Sequence, residues 1–105
     1  MLNRTTSGSG KISDYTVAEL KLLDAAYHFT ADMGGSFPWR GRKIVIPTLE
    51  EVLTAFPATD FNIEIKPNDE SVANSLASIL RNLSTPQRPI ETRVIVGSRF
   101  CKVRM

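Results

Sequence analysis

Asn62, Glu64 and Lys66 alternate with Phe61, Ile63 and Ile65 along one short segment. At the two-residue period of a β-strand, the polar three share one face and the apolar three the other. A carboxylate on such a face offers the oxygen donors that hard divalent cations such as Mg²⁺ or Ca²⁺ prefer. Taken alone, the pattern also describes a strand carboxylate neutralised by Lys66 or exposed at an edge, and residue type by itself favours that plainer reading. Lys66 alone is equally a solvated strand end.

Other residues offer less chemistry. His28 is the sole histidine and follows a helical stretch in Ala25-Ala26-Tyr27-His28-Phe29, so it reads as a surface or packing residue, and no catalytic residue is assigned in this chain. Cys101 has no second cysteine, which supports neither a zinc site nor a thiol nucleophile. Thr6-Ser7-Gly8-Ser9-Gly10-Lys11 lacks both the spacing of a phosphate loop and a preceding strand. Ser98, just past a strand, reads as a turn residue or a substrate contact. Phe37-Pro38-Trp39-Arg40-Gly41-Arg42-Lys43 mixes aromatics with cations and could stack on a base or grip a phosphate. Its plainer reading is a structural loop, with Phe37 and Trp39 as a hydrophobic plug and the cations solvated.

The elements that must position Glu64 can be read in order. Residues 1 to 14 read as loop. Thr16 and Glu19 have capping-box spacing and predict a helix over 16–24, with Leu20, Leu23 and Tyr27 as its apolar side. Gly34-Gly35, Pro38 and Gly41 predict an irregular excursion over 30–44. Pro47, Thr48 and Glu51 predict a second helix over 48–56, burying Leu49, Val52, Leu53 and Phe56. After the strand at 61–66, Asp69 and Glu70 suit the positive end of a helix over 69–83, where Val72, Leu76, Ile79, Leu80 and Leu83 recur at helical spacing. A strand over 92–97 completes a βαβ unit with parallel strands. Strands of such a sheet should be apolar on both faces, so the polar face of 61–66 demands a reason. A β/α barrel supplies one, because its chemistry sits where charged groups at the C-terminal strand ends point into the barrel mouth.

A chain of 105 residues is less than half of such a barrel, which takes roughly 250 residues. With 42% hydrophobic and 23% charged residues and a net charge of +2, it has the composition of a soluble globular protein and gives no argument for nucleic acid. Neither a membrane span nor a secretory signal is encoded, and the lone cysteine favours a reducing, cytoplasmic location. Two strands leave raw sheet edges, so self-association through exposed edges is an expectation for this chain, as is its being an interior piece of a larger domain.

The order of several segments resembles the glycerophosphodiester phosphodiesterase family. Leu2-Asn3-Arg4-Thr5-Thr6-Ser7-Gly8-Ser9-Gly10 is similar to the family's Leu-Asp-Arg-Thr-Thr-Asn-Gly-x-Gly segment, Thr16-Val17-Ala18-Glu19-Leu20 to its next short helix, and Phe37-Pro38-Trp39-Arg40-Gly41 to a loop of its small insertion. Ile46-Pro47-Thr48-Leu49-Glu50-Glu51-Val52-Leu53, Asn62-Ile63-Glu64-Ile65-Lys66 and Val94-Ile95-Val96-Gly97-Ser98 continue the match.

The resemblance implies a partial (β/α)8 TIM barrel of the α/β class, with a loop and insertion segment at 1–46 and an αβαβ barrel segment at 47–105. It makes Glu64 a metal ligand, for Mg²⁺ or Ca²⁺ in the complete enzyme, and sets Lys66 near the phosphate of a glycerophosphodiester substrate. The family's His-Arg-Gly, Glu-x-Asp and His-Asp segments, which carry the histidines and other metal ligands, have no counterpart here. The implied activity is therefore that of a phosphoric diester hydrolase whose present fragment is inactive alone and does not hold the metal by itself. The competing expectation is a non-catalytic α/β module that associates through its strand edges.

Overall fold

Asp69 ends an extended stretch and starts a helix. Its carboxylate accepts from the Ser71 N–H at 2.8 Å and the Ser71 hydroxyl at 2.7 Å, so one free donor of the first turn is satisfied. The Ser71 hydroxyl, followed by the Ser71 N–H, holds the Asp69 carboxyl below the usual carboxylate range. The helix runs over Glu70–Leu83, with Leu76 and Leu80 buried and Ile79 and Leu83 half-buried. Numbered in chain order with the helices Val17–Leu20 (α1) and Leu49–Ala55 (α2), it is α3.

The computed structural model describes residues 1–98 and 102–103 and divides into two units, Met1–Thr48 and Leu49–Met105. In the second unit, α3 links strands β1 (Phe61–Ile65) and β2 (Val94–Ser98), which pair in parallel as such a crossover requires. Their register sets Asn62 opposite Ile95 and Glu64 opposite Gly97 on one face, and Phe61 opposite Val94 and Ile63 opposite Val96 on the other. The second face is the covered one. Leu53 of α2, Leu76 and Leu80 of α3, Ile90, Val94 and Val96 form the buried core, with Leu49, Phe61, Ile63, Ile65 and Leu83 packed against it. A two-residue strand, β3 (Lys102–Val103), joins β2 antiparallel, giving the order β1-β2-β3.

Two arginines of the α3–β2 connection hold the turn between α2 and β1. Arg93 is 8% exposed, and its guanidinium donates to the carbonyls of Phe56 at 3.3 Å and Leu53 at 3.5 Å, at the negative end of α2. Arg88 donates to the Pro57 carbonyl and lies 3.6 Å from the Asp60 carboxylate. The positively charged groups thus reach the Leu53 carbonyl in the last turn of α2 and the Phe56 and Pro57 carbonyls just beyond it.

The first unit relies on polar ties instead. Leu2 is 1% exposed, with its N–H on the Gly10 carbonyl at 2.8 Å, while the buried Thr6 hydroxyl donates to the Leu2 carbonyl and accepts from the Gly8 N–H. The capping box at Thr16 is present in both directions, 3.2 Å from the Glu19 N–H to the Thr16 hydroxyl and 3.0 Å from the Thr16 N–H to the Glu19 carboxylate. The latter bond is the first cause of a lowered Glu19 carboxyl. Asp24 accepts from the Ala26 N–H at 2.9 Å with one oxygen and from the Gly41 N–H at 2.9 Å with the other. Asp32 accepts from the Thr30 hydroxyl and from both the hydroxyl and the N–H of Ser36, each at 2.7 Å. These bonds, the Ser36 hydroxyl foremost, draw its carboxyl down to about 2.

Three expectations are corrected. The helix foreseen over 16–24 is only four residues long, because the chain leaves it to exchange two hydrogen bonds between Ser7 and Asp24, at 2.9 and 3.0 Å. Phe56, foreseen as buried, is 56% exposed since α2 has ended at Ala55. Arg40 is not a merely solvated cation: its guanidinium lies 4.0 Å from the centres of both the Tyr27 and Phe37 rings, with its Nε–H on the Tyr27 carbonyl at 2.8 Å. The excursion over 30–44 is irregular, as its glycines and Pro38 foretell, and holds no helix or strand among the described residues.

Candidate functional site

The alternation of β1 decides where its polar groups go. α2 and α3 pack on the face of Phe61, Ile63 and Ile65, so Asn62 and Glu64 fall on the face that no described element covers. Glu64 is the fourth of the five strand residues and Lys66 follows the strand, which places both at the C-terminal end of the parallel pair. The Lys66 Nζ donates to a Glu64 carboxylate oxygen at 2.8 Å, and the two side chains are 78% and 54% exposed. An exposed pair of this kind contributes little to stability, typically ~0–1 kcal/mol. Its lack of structural necessity leaves both groups free to turn to other partners.

The surroundings of Glu64 are open. Its partner across the ladder is Gly97, where an added Cβ would meet nothing within 4 Å. Ile95, on the same face, is 57% exposed, an apolar residue with nothing described over it. The structure thus brings Glu64 and Lys66 to one end of one sheet face, with Asn62 on the same face near the start of β1. It places His28 elsewhere, exposed and edge-on to the Tyr27 ring at 5.0 Å. Ser98 closes β2, and Cys101 lies outside the described residues.

Among the described residues, no group of three or more His, Cys, Asp or Glu side chains could hold a metal ion. Glu64 brings one carboxylate, one oxygen of which already serves Lys66, whereas a hard divalent cation takes about six or more oxygens. The donors present therefore do not fit a metal by themselves. A groove of about 610 Å³ lies at the other end of the strands, lined among others by Asp60, Asn62, Glu91 and Arg93, and includes neither Glu64 nor Lys66. Sequence reading missed Arg93, whose Nε is buried without a hydrogen-bond partner, and also Asp24. Their residue types carry no local signal; only a charged side chain at a strand start or a helix exit could have drawn notice.

No described helix is long and apolar enough to cross a membrane. The model of the glycerophosphoryl diester phosphodiesterase family matches residues 1–98. A glycerophosphodiester phosphodiesterase of Bacillus altitudinis is 35% identical over 100 residues, which cover 92% of this chain and 37% of that protein. One from Bacillus subtilis is 37% identical over 73 residues, covering 65% of this chain and 24% of its own length. Another, from Caldanaerobacter subterraneus, is 40% identical over 67 residues, 62% of this chain and 24% of that protein. The chain thus spans between a quarter and just over a third of these relatives, and the matched stretch runs from the Thr-rich loop at the start through both parallel strands. It belongs to the glycerophosphoryl diester phosphodiesterase family.

Proposed function

We propose that this chain is part of a metal-dependent β/α-barrel enzyme that hydrolyses glycerophosphodiesters to glycerol phosphate and an alcohol, with 1–46 as its loop and insertion segment and 47–105 as barrel segment. Glu64 supplies one ligand to a divalent cation, and Lys66 binds the substrate phosphate. The observation that supports this is the single uncovered sheet face, where Glu64 and Lys66 stand at the C-terminal end of parallel strands in a stretch that matches the family throughout. That end is where barrels of this class gather their reacting groups.

Because the donors among the described residues do not complete a metal site by themselves, its part is to position. The Lys66 ammonium, released from Glu64, offsets phosphate charge and orients the diester through charge-assisted hydrogen bonds. Glu64, deprived of that partner, has its carboxylate free for a cation. In this reading the chain alone does not turn over substrate.

The test is a chimera in which residues 1–98 replace the matching segment of the Bacillus altitudinis relative. Glu64→Gln should cut activity by at least about 100-fold and raise the metal requirement, since loss of a ligand exceeds loss of its outer supports. Lys66→Met should leave metal dependence alone and raise KM about 10-fold or more. A metal defect in Lys66→Met with none in Glu64→Gln would reverse the assignments. Turnover by the 105-residue chain above its Glu64→Ala variant would refute its inactivity.

A second reading, association of a non-catalytic module through a strand edge, is favoured by one feature: β1 stands at the end of the strand order. Sedimentation that stays monomeric across a wide concentration range would dismiss it.

A further inference from the structure

The first unit carries an apolar face with a cationic rim. Ala25, Ala26, Phe29, Trp39 and Ile44 line a hollow of about 360 Å³, and Phe29, Trp39 and Ile44 remain 54%, 47% and 38% exposed. Ile44 is shared with a neighbouring hollow that adds Leu22, 86% exposed, and Val45, 42% exposed, together with Lys21 and Lys43. Arg42 sets its guanidinium 5.6 Å from the centre of the Trp39 ring. Residues 33–48 contain Arg40, Arg42 and Lys43 and no acidic residue. The one acid among the residues lining the two hollows, Asp24, has its oxygens engaged by the Ala26 and Gly41 N–H groups.

Apolar hollows and fixed cations ask for an occupant that is greasy and anionic at once. A nucleic acid would answer the cations but leave Phe29, Ile44 and Leu22 in water. An apolar protein surface would cover those residues but strand the cations in a drier place. An anionic bilayer meets both needs, since tryptophan settles at headgroup level, aliphatic side chains enter the acyl boundary, and Lys and Arg meet lipid phosphates. We propose that this face docks the protein on the surface of an anionic membrane, with Phe29, Trp39 and Ile44 dipping in and Arg42 and Lys43 on headgroup phosphates. The docking is interfacial and independent of Glu64 and Lys66.

Trp39 is the only tryptophan in the chain, so its fluorescence reports the contact directly. The full chain, and the chimera described above with any tryptophans of the relative replaced by phenylalanine, would be titrated with mixed phosphatidylcholine–phosphatidylglycerol vesicles and with phosphatidylcholine alone. Both proteins should bind the anionic vesicles, with a blue-shifted Trp39 emission that brominated lipids quench. The double variant Arg42→Gln/Lys43→Gln should bind about 30-fold more weakly, a roughly fivefold effect per cation near an anionic leaflet. Matching far-UV circular dichroism would show that the variant folds, and the lipid quenching needs no variant at all. Absence of binding, equal binding to neutral vesicles, or binding to heparin without binding to vesicles would each overturn the proposal. Binding by the chain that the chimera lacks would also overturn it, because the face would then be a packing contact within the larger enzyme.

Discussion

The two units solve one problem by different means. Leu49–Met105 has regular helices and strands, so its backbone groups satisfy one another and its side chains are free to build an apolar core around Leu80 and Ile90, which are 0% and 1% exposed. Met1–Thr48 has little regular structure, and its backbone donors need side chains: Asp24 takes two of them, and Thr6, Asn3 and Asp32 one each. Backbone donors that no helix or ladder pairs turn to side chains or to water, so an irregular chain devotes polar residues to them. The comparison teaches that carboxylates such as Asp24 and Asp32 serve this chain's fold rather than its chemistry. A tally of acidic residues would mistake them for chemistry.

The largest effect should come from the apolar unit. Leu80→Ala removes a fully buried side chain and should cost about 2–5 kcal/mol in urea unfolding, with the upper end if α3 cannot settle onto β1 and β2. A cost below that range would show the second unit to be loosely packed and blunt the contrast.

Asp24→Ala should come next, at about 0.5–1.5 kcal/mol, because the part-buried Ala26 N–H loses its charged acceptor while the exposed Gly41 N–H can turn to water. Asn62→Ala, an exposed polar residue of the regular unit, serves as control and should stay within about 0.5 kcal/mol. Equal losses in the two variants would break the comparison.

The smallest effect is a local response to acid. The folded Asp32 carboxyl, at about 2, lies below its unfolded value of 3.8, so its contribution is present above the unfolded value and is lost as pH falls from there through about 2. Protection of the Gly34 and Ser36 amides, taken relative to their intrinsic exchange rates, should fall over that window while the amides of β1 and β2 stay protected. Asp32→Asn should flatten the response. An unchanged profile in that variant would show that the Thr30 and Ser36 bonds do not couple to this carboxyl.

Much of the molecule was legible because its signals are short-ranged. The Thr16–Glu19 capping box, the Asp69 cap, the recurrence of Leu76 and Leu80 and the alternation of Phe61 to Lys66 each depend on residues two to four apart, a distance over which backbone geometry alone decides who meets whom. The same alternation separated Glu64 and Lys66 from the core before any fold was known, and the ordered motifs located the family. Tertiary structure alone decided that Glu64 faces a glycine across the ladder and that Lys66 is its present partner. It also decided that Arg93 would reach back 40 residues to Leu53 and that Arg40 would sit between Tyr27 and Phe37. Those contacts join segments far apart in the chain, where no backbone period carries information and the partner is chosen by whichever unsatisfied carbonyl, ring or carboxylate the folded chain brings within reach.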